Sequence, residues 1–205
     1  EFVHREGRRP LALPQIMGPG VVLRDLDGDG LADLVLVQGS GEGAPAPAPR
    51  FAYFRNNGDG TFADRTVAAG LDLAGWGMGA LAADLDSDGD QDLAFTFYGE
   101  SPGGFENMGD GTFRRFVLPP DPLAGVPFGS GLAALDPQKR GVLDIFAASY
   151  VDFPRSRIAR SDGVTIRGNF QPRALSPFLA PARPSLYYRQ DHNLSFRQVG
   201  RDLTC

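Results

Sequence analysis

The sequence predicts an all-β chain, a β-propeller arc of about three and a half blades, each a four-stranded antiparallel sheet. Three observations carry that prediction. A Gly-punctuated apolar strand ending in aspartate occurs three times without gaps. Each of those aspartates opens a nine-residue acidic or formerly acidic loop that leads into a second short apolar strand. A hairpin with Asn/Asp-Gly turn chemistry then follows, intact twice and decayed once.

The first element is Met17-Gly18-Pro19-Gly20-Val21-Val22-Leu23-Arg24-Asp25. It aligns with Trp76-Gly77-Met78-Gly79-Ala80-Leu81-Ala82-Ala83-Asp84 and with Phe128-Gly129-Ser130-Gly131-Leu132-Ala133-Ala134-Leu135-Asp136. The second is Leu34-Val35-Leu36-Val37, then Leu93-Ala94-Phe95-Thr96-Phe97, then Ile145-Phe146-Ala147-Ala148, all of strand length. The third runs from Phe54 to Phe62 and from Phe105 to Phe113 around Gly-Asp-Gly, and its worn copy, Tyr188 to Phe196, has lost the glycines. The units recur at roughly 50 to 60 residues, room for four strands and variable loops. Phe2-Val3 occupies the place that follows a Thr-Phe hairpin, and Phe196 to Cys205 repeats that place, so the chain starts and stops mid-unit. Since propellers close with roughly 4 to 8 blades, a fragment, or an arc completed by a partner, is expected.

Composition agrees with a globular chain of short strands: 42% hydrophobic residues, with Gly 27 and Pro 17 spread along the length. A net charge of -5 argues against nucleic acid as a partner, because phosphate neutralisation needs a Lys/Arg excess. No apolar run reaches the roughly 18 to 20 residues of a membrane span, and Glu1-Phe2-Val3-His4 has no signal-peptide pattern. Cys205 is the only cysteine, which excludes an intrachain disulfide and a Cys-based metal site.

The loops Asp25-Leu26-Asp27-Gly28-Asp29-Gly30-Leu31-Ala32-Asp33 and Asp84-Leu85-Asp86-Ser87-Asp88-Gly89-Asp90-Gln91-Asp92 carry carboxylates at positions 1, 3, 5 and 9. Converging like charges call for a hard divalent cation, so two structural Ca²⁺ sites are expected, with Leu31 and Asp90 offering backbone carbonyls at position 7. An EF-hand does not fit. Its twelfth position should be Glu, yet Leu36 and Phe95 stand there inside apolar strands. In the third loop, Asp136-Pro137-Gln138-Lys139-Arg140-Gly141-Val142-Leu143-Asp144, the middle acids have become Gln and Arg. No metal is expected there; the Arg140 guanidinium is expected between Asp136 and Asp144 in place of the ion.

With these motifs in order, the chain resembles the FG-GAP and VCBS repeat family. Phe128-Gly129 stands at the Phe-Gly position, and the Arg55 to Phe62 hairpin and the strand Leu143 to Tyr150 resemble the subgroup that includes cartilage acidic protein. The resemblance implies a propeller with structural calcium, export from the cytoplasm to an extracellular or periplasmic location, and adhesion or partner binding in place of catalysis.

Residues 1–205 read as one propeller segment interrupted by an irregular Arg/Pro-rich insertion at 153–183. Its Arg155, Arg157, Arg160, Arg167, Arg173 and Arg183 form a basic patch on an acidic protein, the first five suited to contact with a partner. Ala44 to Pro49 reads as an extended spacer. His4 and His192 lack a Ser or Cys pattern, so no nucleophilic triad is indicated. Trp76 and Phe128 share one repeat position, and Phe62, Phe113 and Phe196 another, which predicts interblade packing. The expected function is a non-enzymatic, calcium-stabilised protein-binding or scaffolding module whose partner is another protein or further propeller blades. A carbohydrate-binding or polysaccharide-lyase propeller is the alternative.

Overall fold

The computed structural model describes residues 17, 19–39, 51–120, 127–152, 163–166, 169–172 and 183–199. Three antiparallel four-stranded sheets form in chain order, and no helix occurs among the described residues. The first blade is β1 (Val21–Arg24), β2 (Asp33–Leu36), β3 (Ala52–Asn56) and β4 (Phe62–Asp64). The second is β5 (Gly77–Ala83), β6 (Asp92–Phe97), β7 (Gly103–Asn107) and β8 (Phe113–Val117). The third blade starts with β9 (Gly129–Leu135) and β10 (Asp144–Ser149). A separate hairpin, β11 (Gly163–Ile166) with β12 (Asn169–Pro172), precedes β13 (Leu186–His192) and β14 (Ser195–Gln198), which complete the third sheet in the order β14-β13-β10-β9.

The repeat alignment is also the register. Val22 pairs with Val35 in the first blade, Leu81 with Ala94 in the second and Ala133 with Phe146 in the third. Alternation along the strands then sends one set of side chains to the preceding blade and the other to the following blade. Val22, Val35, Val37 and Tyr53 of the first blade join Phe95, Phe97, Phe105 and Phe113 of the second in one core. Leu85, Ala94 and Leu118 join Ile145, Ala147, Leu186 and Tyr188 in the next. Edge-to-face aromatics link repeat positions, with Trp76 on Tyr98 at 4.7 Å and Tyr98 on Phe128 at 5.5 Å between ring centroids.

Phe113 (8% exposed) packs across the interface on Tyr53, and Phe196 stacks on Phe116. Phe62 differs. It is 45% exposed, against the expectation of interblade packing: among the described residues no strand packs on the face of the first blade that carries it. The insertion differs too: in place of wholly irregular chain, Gly163–Ile166, with its β-branched Val164-Thr165-Ile166, pairs antiparallel with Asn169–Pro172. Arg155, Arg157, Arg160, Arg167 and Arg173, like Phe2, His4, Ala44 to Pro49 and Cys205, lie outside the described residues, whereas Arg183 is described and buried, so it is not part of an exposed patch. The worn hairpin closes through Asn193 and Leu194, both at positive φ (38° and 58°), the two-residue turn that matches strand twist.

Inner strands of successive blades approach closely. The Gly20 amide donates to the Met78 carbonyl at 2.6 Å, and Thr96 Oγ1 accepts from the Gly79 amide (2.9 Å) while donating to the Ser130 carbonyl (2.8 Å). A Cβ on Gly79 would stand 1.9 Å from that Ser130 oxygen, whereas one on Gly131, at the same repeat position in the third blade, meets nothing within 4 Å. Gly79→Ala is therefore expected to destabilise the chain by about 2 to 3 kcal/mol and Gly131→Ala by less than about 0.5 kcal/mol, read as urea unfolding midpoints.

Candidate metal centre

Each loop is anchored by its two end aspartates. The position-1 carboxylate accepts the amide of position 6: Gly30 on Asp25 at 2.8 Å, Gly89 on Asp84 at 3.2 Å, Gly141 on Asp136 at 2.7 Å. The ninth residue, with no exposed surface in any blade, reaches across to the third strand of its sheet and accepts an amide there: Asn56 on Asp33 at 2.8 Å, Asn107 on Asp92 at 2.8 Å, Gln190 on Asp144 at 2.9 Å. Its second oxygen takes the amide of loop position 2 from Leu26 (3.1 Å) or Leu85 (2.9 Å). In the third loop that position is Pro137, which has no amide hydrogen to give.

The backbone bend is shared by all three loops. Position 4 has positive φ whether it is Gly28 (77°), Ser87 (68°) or Lys139 (53°), and position 6 is a positive-φ glycine each time. Loop shape is thus common to acidic and non-acidic copies.

Within that shape the carboxylate oxygens of Asp25, Asp27 and Asp29 lie within 4.8 Å of one another, as do those of Asp84, Asp86 and Asp88. The ninth-position carboxylates, expected among the ligands, have both oxygens engaged by backbone amides. At position 7 the structure shows the amides of Leu31 and Asp90 donating to Asp29 and Asp88, each at 2.9 Å.

The two acidic clusters are neutralised differently. In the first, Arg55 on β3 donates through Nε to Asp27 and through Nη2 to Asp29 (2.6 Å for the latter), and Tyr53 Oη donates to Asp33 at 3.1 Å. Both Asp25 oxygens are taken by loop amides. In the second, Gly104 and Glu106 stand at the places of Tyr53 and Arg55. Glu106 is held in a fork by Arg114, and Asp84 Oδ1 is buried with no hydrogen-bond donor. Burial, then the neighbouring Asp88, pushes the Asp86 carboxyl above its ordinary range; burial pushes Asp92 up to about 7 against the pull of its two amides. The second cluster therefore fits a divalent cation, which would satisfy the orphaned oxygen and the uncompensated charge together.

In the third loop the Arg140 guanidinium reaches Asp144 and, through Nη1, the Gln190 carbonyl at 2.7 Å. It does not bridge to Asp136, whose carboxyl is occupied by the backbone amides of Arg140 and Gly141 and is held below its ordinary range chiefly by the first of them. Tyr187 Oη also donates to Asp144, and burial followed by that bond raises the phenol to about 12. The sequence reading missed Arg55, Tyr53 and Tyr187. The Phe54-Arg55-Asn56 to Phe105-Glu106-Asn107 alignment carried the signal, a charge reversal at one repeat position.

Residues 25–95 match the FG-GAP-like repeat family. The FG-GAP-like match takes in the first loop, the β3–β4 hairpin, the second loop and the start of β6. No curated protein matches the chain significantly. A solved structure similar to it is described as the structural basis of specific recognition of non-reducing terminal N-acetylglucosamine by an Agrocybe aegerita lectin; identity is 18% and the TM-score 0.47. The alignment covers 92% of this chain and 39% of that one.

Removing Arg140 leaves a buried carboxylate whose position-2 donor is already a proline. Arg140→Met is expected to cost about 3 kcal/mol, measured by chemical denaturation at neutral pH.

Proposed function

We propose that the chain is a non-catalytic, extracytoplasmic, calcium-braced propeller segment that binds protein by docking the face of a further propeller blade against its own first blade. The observation that carries this reading is the uncovered apolar face of that blade. Val21 is 59% exposed, Leu23 62% and Phe62 45%. Their repeat equivalents Ala80, Ala82 and Phe113 are packed by the blade in front of them. The chain thus displays, at its own interfaces, what covers such a face. Full burial of a side chain of this size contributes roughly 1.5 to 3 kcal/mol, so leaving three uncovered opposes the rest of the design.

The third blade offers a surface of the covering kind, with Ala133 exposed and Phe146 half-buried on its outward side. The chain by itself is expected to self-associate in sedimentation velocity at tens of micromolar, and Val21→Asp with Leu23→Asp to leave a monomer of unchanged Tm. A wild-type monomer across that range would count against the docking face.

Calcium in the second loop is supported by the buried, donor-less Asp84 oxygen. Asp84, Asp86 and Asp88 would hold the ion, and its contribution is structural, fixing the loop charge that the chain leaves uncompensated. The Arg55 to Phe62 hairpin and the Leu143 to Tyr150 strand support placement in the subgroup that includes cartilage acidic protein. For a site of extracellular affinity, about 10 mM Ca²⁺ is expected to add roughly 1.5 to 3 kcal/mol over EDTA. Scanning calorimetry with and without chelator checks it; superimposable curves would remove the ion from the reading.

The carbohydrate alternative has one observation of its own, a polar interblade cleft of about 540 Å³ lined by Asp27, Arg55, Arg65, Asp110 and Thr112. A glycan array on the intact chain tests it.

A further inference from the structure

We propose that Arg55 is a built-in counter-ion that closes the first loop to divalent cations. The two loops that read alike in sequence would then be one arginine-filled site and one ion site, selected by the residue on the third strand of each blade. The inference rests on the calcium reading of the second loop and goes beyond it by assigning the first loop the opposite state.

The geometry at the first loop is complete without an ion. The Arg55 guanidinium binds Asp27 and Asp29 by two different nitrogens, and Gly28 and Gly30 amides occupy the two oxygens of Asp25. Asp33 is satisfied by two amides and the Tyr53 hydroxyl. No oxygen of this cluster is among the buried groups that lack a donor. A divalent ion entering here would have to displace a charge-assisted fork with its geometry already set, while a +1 group already offsets the charge it would neutralise.

The chain uses the same device elsewhere. In the third loop Arg140 holds Asp144, with Tyr187 as the hydroxyl donor that Tyr53 is in the first. Only the second loop lacks both parts among the described residues. Gly104 replaces the tyrosine because the Phe116 ring lies 2.3 Å from where a Cβ would stand. Glu106 replaces the arginine, adding negative charge beside Asp86, and Arg114 is paired with Glu106 itself. Three blades therefore carry three charge solutions on one loop shape. An arginine comes from β3 in the first, from within the loop in the third, and from neither place in the second.

Isothermal titration calorimetry of the full chain with Ca²⁺ tests this, with circular dichroism confirming the fold of each variant. The wild type is expected to bind one ion, Arg55→Gln two, and Glu106→Arg none. Arg55→Met serves as a second variant if the glutamine hydrogen-bonds into the loop, with the same expected gain of one site. Asp27→Asn with Asp29→Asn should leave the count at one. Two wild-type sites of comparable affinity, or an Arg55→Gln and Arg55→Met pair that both stay at one, would overturn the proposal. A wild type that binds no calcium would sink the ion reading of the second loop instead, and a site gained by Arg55→Gln in that case would still support the role of Arg55.

Discussion

A carboxylate with no exposed surface persists in a protein only when donors replace the water it has lost. Each blade has one, at the junction where the acidic loop meets its second strand, and each is held by the amide of the third strand. That single interaction ties the loop, the second strand and the third strand into one unit. Because Asp33, Asp92 and Asp144 use backbone donors at fixed registers, they set where the loop begins its bend and how the β2–β3, β6–β7 and β10–β13 pairs align. Blade stacking then follows from strand alternation, since a one-residue slip would turn every core side chain away from its neighbour.

Once the ends of the loop are fixed, its middle is free to differ. The left-handed positions persist at Ser87 and Lys139, where the side chain gives no intrinsic reason for them, so the anchors and not the residue at position 4 impose the conformation. Charge in the middle of the loop is then an electrostatic question separate from folding topology. Pro137 illustrates the coupling between the two. By removing the amide that Leu26 and Leu85 supply, it leaves Asp144 short of a donor, and Arg140 with Tyr187 makes up the deficit.

The four-stranded blade and its threefold recurrence were legible in the sequence because the repeat is gapless where it matters, from the Gly-punctuated strand through the ninth loop residue. The further half blade expected at the chain's ends lies outside the described residues. Trp76 and Phe128 were legible as core for the same reason. Phe62 was not, since its exposure depends on whether a blade precedes the first, which no local pattern encodes. The hairpin in the insertion was hidden by the many prolines and arginines around a short β-branched segment. At the loops, the acidic spacing revealed where charge gathers but not how it is balanced. Arg55 lies 26 residues from Asp29 and on another strand, so the pairing emerges only when the third strand is laid beside the loop.

The difference between Arg55 and Glu106 has a physical consequence for how rigid the arc can be. An internal guanidinium travels with the chain and holds its loop in any medium, although such a half-exposed pair is weakened by salt. An ion site is stronger when filled and unfavourable when empty, because the carboxylates remain gathered around an oxygen with no donor. The second loop sits in the middle blade, with cores packed on both of its faces, so its stability bears on both interfaces. With the ion proposed for the second loop bound there, and the arginines held against the loops of the flanking blades, the order of both interfaces would respond to a single occupancy.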